Sequence, residues 1–445
     1  MTEFLIYSKL CFIDGKFIEA TLYIKNEKIH DIFKGRYPLA DVSFLDYNNL
    51  IVIPGIIDAH VHINEPGREH WEGFDTATKA AALGGVTTLI EMPLNASPVT
   101  TTVDAFKLKQ KVAFNKLHVN CGFYGGVIPS NINSIEYLIN EGVFGIKGFL
   151  THSGIDEFPN VTREHLETIA PILKKYDVPL LLHCELSDAN IPEVNNPKSY
   201  KEYLCSRPQR WETNAIELAI GIQQKFDIRV HIVHLSASNG IQQISQRKKE
   251  TTKLTVETCP HYLFFNAEEI PDAAPIYKCA PPIREKQNND LLWDYFLNDG
   301  FNFLASDHSP APPNQKQLES GDFFKAWGGI SGLQFTLPIL YTEGQKRGLP
   351  LEKLIPLLTK NPASFLGLDH KKGLLKKGFD ADITVLNDTQ DITITESSIQ
   401  HRHKQTPYLG KKLKGKIEHV FVNGFQVIKD SKIVNEGKGM MLFRN

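Results

Sequence analysis

Eight short apolar runs, separated by helix-length segments, constrain the fold of this chain most strongly. The intervening stretches include REHLETIAPILKKYD and ETNAIELAIGIQQKFD, in which apolar residues recur at helical spacing. Strands that alternate with helices are typical of a parallel sheet, so eight such units predict an α/β fold, a TIM-type (β/α)8 barrel. The runs are VIPGIIDAHVHI, TTLIEMP, HVNCGFYGGV, FGIKGFL, VPLLLHCE, RVHIVHLS, LTVETCPHYL and FNFLASDHS.

The two ends of the chain carry a different pattern, of short alternating strands and tight turns. Asp14-Gly15 near the start and Asn423-Gly424 near the end are hairpin signals between β-branched and aromatic residues. We therefore predict a small β-sandwich domain assembled from residues 1–53 and 373–445. It would flank a barrel formed by residues 54–372.

Composition narrows the class of ligand. The 445 residues are 42% hydrophobic, and 49 basic against 51 acidic residues give a net charge of −2. A chain without a basic field is not expected to bind nucleic acid or an anionic membrane, which leaves a small molecule as the predicted ligand. The six cysteines lack C-x-x-C spacing, and neither a signal segment nor a membrane-length apolar run is evident, so we expect reduced thiols and a cytoplasmic location.

Polar residues stand at the carboxyl ends of five of the eight runs, where barrel active sites lie. His60 and His62 alternate along the first run, so their side chains share one face and can converge on one point. The candidate metal ligands are His60, His62, Lys147, His183, His234 and Asp307. Each alone has an ordinary structural interpretation, but a purely structural account of the four histidines needs four coincidences of position.

Lys147 is the most informative of the six because it lies in the otherwise apolar run GVFGIKGFL. One interpretation is a buried ion pair. Alternatively, a desolvated lysine has a lowered pKa, and its neutral amine can react with carbon dioxide to form a carbamate. Such an N6-carboxylysine bridges two cations, and together with four imidazoles and Asp307 it would suit two divalent ions, with zinc favoured.

The chain resembles the amidohydrolase superfamily. The resemblance is carried by DAHVH, Lys147, His183, His234 and Asp307, and by GFDADITVL near the end. Longer motifs resemble the allantoinase family among its cyclic amidases. These motifs are HINEPGREHWEGFDTATKAAALGGVTTLIEMPLN, GFLTHSGIDEFP, ETCPHY, KCAPPIRE, SDHSP, KAWGGISGLQ and RHKQTPYLGKKL. Dihydroorotases are similar but carry a carboxylate-binding arginine where this chain has Asn64. Hydantoinases and dihydropyrimidinases carry a tyrosine where this chain reads Phe149, Leu150, Thr151 and His152.

The resemblance implies a cyclic amidohydrolase that opens the hydantoin ring of allantoin to give allantoate, in purine catabolism. A hydroxide bridging two ions would attack the ring carbonyl, and Asp307 would act as catalytic proton carrier. A dihydroorotase, a hydantoinase or dihydropyrimidinase, and a non-catalytic scaffold of the same fold stay open as alternatives. The resemblance also implies a homotetramer, while the native metal and the stereochemical preference stay undetermined.

Substrate contacts are expected in the loops that follow the strands. Asn64, Ser153, Ala280 and Arg284 are the candidates, because a neutral substrate rich in N–H and C=O groups needs directional hydrogen-bond partners. Two of them have structural alternatives. Arg284 could instead fix a loop, and Ser153-Gly154 could simply form a turn.

Overall fold

A computed structural model describes residues 3–190 and 193–444 of the chain. Its strands, numbered in chain order, are β1 (Glu3–Ile13), β2 (Lys16–Lys25), β3 (Lys28–Lys34), β4 (Ser43–Asp46), β5 (Ile51–Pro54), β6 (Ile56–Val61), β7 (Val86–Glu91), β8 (Asn120–Phe123), β9 (Gly125–Gly126), β10 (Ile146–Phe149), β11 (Leu180–His183), β12 (Val230–Ile232), β13 (Leu254–Thr258), β14 (Phe303–Leu304), β15 (Ile383–Thr393), β16 (Lys412–Val422), β17 (Phe425–Lys429) and β18 (Lys432–Ile433).

The α-helices lie mostly between the barrel strands. They are α1 (Phe74–Leu83), α2 (Val103–Ala113), α3 (Ile135–Asn140), α4 (Arg163–Tyr176), α5 (Tyr200–Ser206), α6 (Gln209–Phe226), α7 (Ile241–Lys248), α8 (Pro260–Phe264), α9 (Lys286–Leu297), α10 (Thr336–Lys346), α11 (Leu351–Leu358) and α12 (Lys360–Phe365). The described residues contain no helix long and apolar enough to cross a membrane.

The predicted barrel is confirmed, with eight parallel strand positions formed by β6 to β14. β6, β7 and β8 pair in order, and β9 to β14 form a second run of pairs. β8 and β9 are two pieces of one strand, since β8 pairs with β7 and β9 pairs with β10. A parallel bridge between Val61 and His308 links the first strand to the segment after the last. Nearly all the strand residues are buried, as expected of a parallel sheet covered by helices.

The two chain ends share one mixed sheet, as the sequence predicts. Its strand order is β18-β17-β16-β15-β5-β1-β2-β3, with β4 beside β1. The two predicted hairpin turns are also present. Asp14 and Gly15 have φ of 49° and 81° between β1 and β2, and Asn423 and Gly424 have 50° and 75° between β16 and β17. These positive values suit the two-residue turns that match strand twist.

The first predicted run, VIPGIIDAHVHI, is not a single strand. β5 belongs to the terminal sheet and pairs with β15, whereas β6 belongs to the barrel. Gly55 separates them, and its backbone N–H donates to the Asp382 carbonyl at 2.8 Å. A Cβ at Gly55 would lie 2.1 Å from Thr87 Oγ1, so a glycine is required where the chain passes between the two sheets.

The last residues of the chain return to the barrel. The Cys121 N–H donates to the Met440 carbonyl at 2.9 Å, and the Leu442 N–H donates to the Cys121 carbonyl at 2.8 Å. Both bonds join the terminal segment to β8. The domain limits of 1–53, 54–372 and 373–445 stay a prediction, and residues 1 and 445 lie outside the described residues.

Candidate functional site

The carboxyl ends of five barrel strands bring the six predicted side chains together at one rim. Each is at most 6% exposed. Three lie within strands β6, β10 and β11, and the others follow β6, β12 and β14 by one to three residues. In chain order they are His60, His62, Lys147, His183, His234 and Asp307.

His60, His62 and Asp307 form one donor group. An Asp307 carboxylate oxygen lies 3.1 Å from His60 Nε2 and 3.4 Å from His62 Nε2. The ligand atoms of all three lie within 4.8 Å of one another, which is compact enough to hold a metal ion. Although burial alone would raise the pKa of Asp307, the neighbouring imidazoles of His60 and His62 hold it well below its usual range. The group therefore offers an ionised carboxylate beside two imidazoles.

His183 and His234 form a second pair. His183 Nδ1 and His234 Nε2 face each other at 3.0 Å, with ring centroids 4.7 Å apart. Burial lowers the pKa of both imidazoles, which favours the neutral form that binds metals. The His234 ring centroid also lies 5.5 Å from that of His60, so the two donor groups are neighbours.

Lys147 has no hydrogen-bond partner for its Nζ within residues 3–190 and 193–444. Its side chain is about 1% exposed, and its Nζ lies 5.1 Å from the centroid of the Phe149 ring. Burial lowers its pKa to about 8, although Asp307 and Glu257 oppose the shift. An unpartnered buried ammonium is costly, so this environment favours a neutral or modified amine over a buried ion pair.

The donor set fits divalent cations. Burial disfavours a charged His60, yet Asp307 and Glu257 outweigh it and raise the His60 pKa to about 9. Two buried carboxylates therefore attract positive charge to this point, and a bound cation would satisfy them in place of a proton. The orphaned Nζ of Lys147 lies in the same site. Together with the four imidazoles, this chemistry matches borderline divalent metals.

Glu257, in β13, contacts the candidate metal ligand His60 and was not selected by the sequence reasoning. Its carboxylate lies 2.5 Å from His60 Nδ1 and 3.2 Å from His231 Nε2. Burial would raise the pKa of Glu257, but the two histidines hold it at about 2. The carboxylate therefore orients His60 so that its Nε2 faces Asp307, an arrangement common behind metal-binding histidines. A charged residue in the apolar run LTVETCPHYL was the available signal.

Glu185 performs the same task for His183. Its carboxylate lies 2.8 Å from His183 Nε2, which leaves Nδ1 facing His234. Arg207 Nε donates to the other Glu185 oxygen at 3.0 Å. The fully buried Glu185 is therefore paired on both sides, and the orientation of the His183 ring is fixed.

Two site residues have backbone conformations that L-amino acids rarely adopt. His234 has φ of 39° and Asp307 has φ of 45°. Such conformations persist where the surrounding structure imposes them, and they cluster at functional sites. Here they turn the chain sharply just beyond β12 and β14, where the two side chains join the donor groups.

A cavity of about 420 Å³ opens above the two donor groups. Its volume suits a small heterocycle, and its wall mixes aromatic and polar side chains. Trp71 and Trp327 pack edge to face in that wall, with ring centroids 4.8 Å apart. The lining includes His60, His62, Arg68, Trp71, Asn95, Lys147, His183, Ser153, Arg207, His234, Ala280, Asp307 and Trp327.

Comparison with known proteins agrees with this geometry. A family model described as the amidohydrolase family matches residues 51–427. The chain belongs to the amidohydrolase family. The probable allantoinase of Oryza sativa subsp. japonica is 41% identical over 94% of this chain and 86% of that protein. The allantoinase of Streptomyces avermitilis is also 41% identical, over 90% of this chain and 89% of its own.

Solved amidohydrolase structures share the whole fold. The L-hydantoinase (dihydropyrimidinase) from Arthrobacter aurescens has a TM-score of 0.93 at 30% identity and covers 99% of both chains. A likeness of that extent includes the terminal sheet as well as the barrel. Family membership and the compact donor group together support a metal cofactor in this amidohydrolase.

The four predicted substrate contacts of this amidohydrolase fall into two pairs. Ser153 and Ala280 line the cavity, although the Ser153 hydroxyl donates within its own turn, to the Phe158 carbonyl at 2.7 Å. Asn64 and Arg284 are buried and are not among the lining residues. Asn64 Nδ2 donates to the Pro310 carbonyl at 3.2 Å, and Arg284 Nη2 donates to Glu212 at 2.6 Å. Both side chains contact protein groups, and a contact with substrate stays a prediction.

The cavity also includes polar residues that the sequence reasoning did not select. Asn95 is 1% exposed, has φ of 70°, and its Oδ1 has no hydrogen-bond partner in the described part of the chain. Arg68 Nη2 pairs with Glu157 at 2.7 Å, as Arg207 pairs with Glu185. Asn95 and Arg68 lie in loops, where no strand periodicity marks a residue as part of a site. In the sequence they were covered only by the motif that resembles the allantoinase family.

Proposed function

We propose that this protein is an allantoinase, which hydrolyses the ring amide of allantoin to give allantoate in purine catabolism. The observation that carries the proposal is the similarity to curated allantoinases, at 36% to 41% identity over about 90% of the chain or more. The compact donor groups beneath a small cavity supply the chemistry that such a hydrolysis requires.

The six strand-end residues would hold two divalent ions, with zinc favoured. His60, His62 and Asp307 would hold one, and His183 and His234 the other. Lys147 would bridge them as a carbamate, in which its amine nitrogen bonds to carbon dioxide and loses a proton to solvent. When bound, such ions lower the pKa of water and polarise a carbonyl oxygen.

Asp307 has the central task in proton transfer. Its ionised carboxylate lines the cavity, so it can take a proton from the water that attacks the ring carbonyl. It would then return this proton to the ring nitrogen as the carbon–nitrogen bond breaks, which avoids an unstable amide anion as leaving group. Glu257 and Glu185 keep the imidazoles oriented throughout.

Residue 64 favours a neutral substrate over dihydroorotate, because Asn64 stands where dihydroorotases carry an arginine that binds the substrate carboxylate. The two arginines that line the cavity also have carboxylate partners within the protein, Arg68 with Glu157 and Arg207 with Glu185. The unpartnered Asn95 Oδ1 is an acceptor suited to a ureide N–H.

The test is a side-by-side assay of purified protein, supplied with metal and bicarbonate, on allantoin, dihydroorotate, hydantoin and dihydrouracil. We expect kcat/KM for allantoin to exceed the others by about a hundredfold or more, because a site with unpaired polar groups rejects substrates that cannot satisfy them. A preference for dihydroorotate, hydantoin or dihydrouracil would contradict the allantoinase proposal and identify the protein as the corresponding cyclic amidase. No turnover with metal bound would favour a scaffold role.

Two broader proposals are a cytoplasmic location, which rests on the cysteines, and a homotetramer, which rests on the family resemblance. The location follows from cysteines that show no disulfide framework, since the six thiols are free and five of them are buried. Sedimentation of the purified protein tests the subunit number, and a monomer that turns over at the full rate would contradict it.

A further inference from the structure

A buried thiol and a further imidazole lie against the Asp307 carboxylate. Cys259 follows β13 and His261 lies in the first turn of α8. One donor atom each from Cys259, His261 and Asp307 lie within 4.8 Å of one another. We call these three residues the thiol cluster.

The thiol cluster has features of a ligand site. His261 is 1% exposed, and its Nε2 has no hydrogen-bond partner in the described ranges 3–190 and 193–444. An unsatisfied buried nitrogen is costly unless a ligand completes it. Cys259 is completely buried beside it. A thiolate, an imidazole and a carboxylate are a donor set that soft and borderline cations prefer.

Asp307 connects the thiol cluster to the cavity, whereas Cys259 and His261 are buried behind it and are not among the lining residues. Asp307 belongs both to the thiol cluster and to the cavity lining. Bonds of about 2.0–2.3 Å to a tetrahedral ion place two donors about 3.5 Å apart. The donor atoms of the thiol cluster meet the same 4.8 Å limit as the group of His60, His62 and Asp307, so any contraction around an ion would be at most about 1.3 Å.

We infer that the thiol cluster is a third cation site, which takes thiophilic divalent ions such as Cd²⁺ or excess Zn²⁺ and inhibits the enzyme. Binding forms a metal–sulfur bond while the Cys259 thiol releases its proton to solvent. The same ion would draw the Asp307 carboxylate away from His60 and His62, which lie 3.1 and 3.4 Å from it. Hard ions such as Mg²⁺ would not occupy the site.

The expected inhibition rests on the proposed function, in which Asp307 carries the proton, whereas binding of the ion to the thiol cluster does not. The experiment therefore follows both, by titrating Cd²⁺ into enzyme already loaded with zinc. Cadmium–thiolate absorption in the ultraviolet, together with metal analysis after desalting, reports binding. Turnover of allantoin reports inhibition. The variants are Cys259→Ser and His261→Gln, and Cys121→Ser is the control because Cys121 is equally buried but lies in β8.

We expect the wild type and Cys121→Ser to bind an added ion with thiolate absorption and to lose turnover about tenfold or more. Cys259→Ser should show only the absorption that the exposed thiol of Cys205 contributes, less than in the Cys121→Ser control, and should keep its turnover within about twofold under the same Cd²⁺. His261→Gln, which retains the thiol, should bind Cd²⁺ more weakly. Thiolate absorption without loss of turnover would support the cation site but refute inhibition through Asp307.

Two results would overturn the inference. One is a wild-type enzyme that shows no thiolate absorption beyond its zinc complement. The other is a Cys259→Ser variant that is absorbing and inhibited like the wild type, which would locate the ion elsewhere. If Cys259→Ser does not fold, unchanged Cd²⁺ affinity in His261→Gln would likewise overturn it.

Discussion

Glu257→Gln is the substitution that tests most sharply how the site is oriented. The glutamate is 1% exposed. Its carboxylate forms a hydrogen bond with His60 Nδ1 at 2.5 Å and lies 3.2 Å from His231 Nε2, which has no hydrogen-bond partner among the described residues. A glutamine has nearly the same shape but one acceptor oxygen. Its amide nitrogen must then face one of the two rings, either His60 or His231. If it faces His60, that ring loses the acceptor at its Nδ1, and its tautomer or rotation changes.

The magnitude follows from the position of Glu257 behind a metal-binding histidine. Loss of such a partner reduces metal affinity or activity by about 10- to 100-fold. Since a factor of ten corresponds to about 1.4 kcal/mol, the expected cost is about 1.4–2.7 kcal/mol. The loss should fall on metal affinity and kcat, because Glu257 does not line the cavity and KM has no direct cause to change.

The assay measures the metal dissociation constant by competition with a chelator, and kcat and KM at saturating metal. Thr255→Val is the matched control, because Thr255 Oγ1 lies 2.8 Å from His231 Nδ1 in the same network but has no contact with His60. Wild-type affinity and kcat in Glu257→Gln would refute the orienting role. Equal losses in both variants would mean that the network acts only through general stability.

Three further substitutions separate the proposed roles. Lys147→Ala removes the bridging ligand, so we expect loss of bound metal and of turnover, measured by metal analysis and allantoate formation; full metal content with retained activity would refute the carbamate. Asp307→Asn removes the proton carrier and should lower kcat about 10²- to 10⁴-fold, and near-normal turnover would refute that role. Arg284→Gln leaves the buried Glu212 unpaired, so unfolding experiments should show a loss of about 3–5 kcal/mol while KM of the folded enzyme stays unchanged. A raised KM without loss of stability would instead restore Arg284 as a substrate contact.

Local patterns predicted much of the fold, and they selected six residues whose side chains the structure places together at one rim of the barrel; their role as metal ligands stays a prediction. His60 and His62 were accessible because strand side chains alternate, and Lys147 stood out as a charge in an apolar strand. The division at Gly55 could not be predicted, because isoleucine and valine residues stand on both sides of Pro54-Gly55 and read as one continuous apolar run. Only the contact with Thr87 shows why a glycine is needed there, and that contact joins residues far apart in sequence.

The partners of the donors depend on tertiary contacts that no local pattern contains. Glu257 meets His60 across nearly two hundred residues, and Arg284 meets Glu212 across the barrel rim. From sequence alone, a loop arginine such as Arg284 can be interpreted equally well as a substrate contact or as one half of a structural ion pair. Asn64 illustrates the same limit, because its Nδ2 donates to the Pro310 carbonyl and the residue is not among those that line the cavity.

The most direct test of the account is a metal titration of metal-free protein in bicarbonate, with allantoate formation measured at each step. Because we propose that the six residues hold two ions with Lys147 as the bridging ligand, turnover should rise with added zinc and reach its plateau at about two ions per chain. Substantial turnover in the metal-free protein, or a plateau at one ion, would contradict the two-ion site. Full occupancy by two ions without allantoate would contradict the proposed reaction itself.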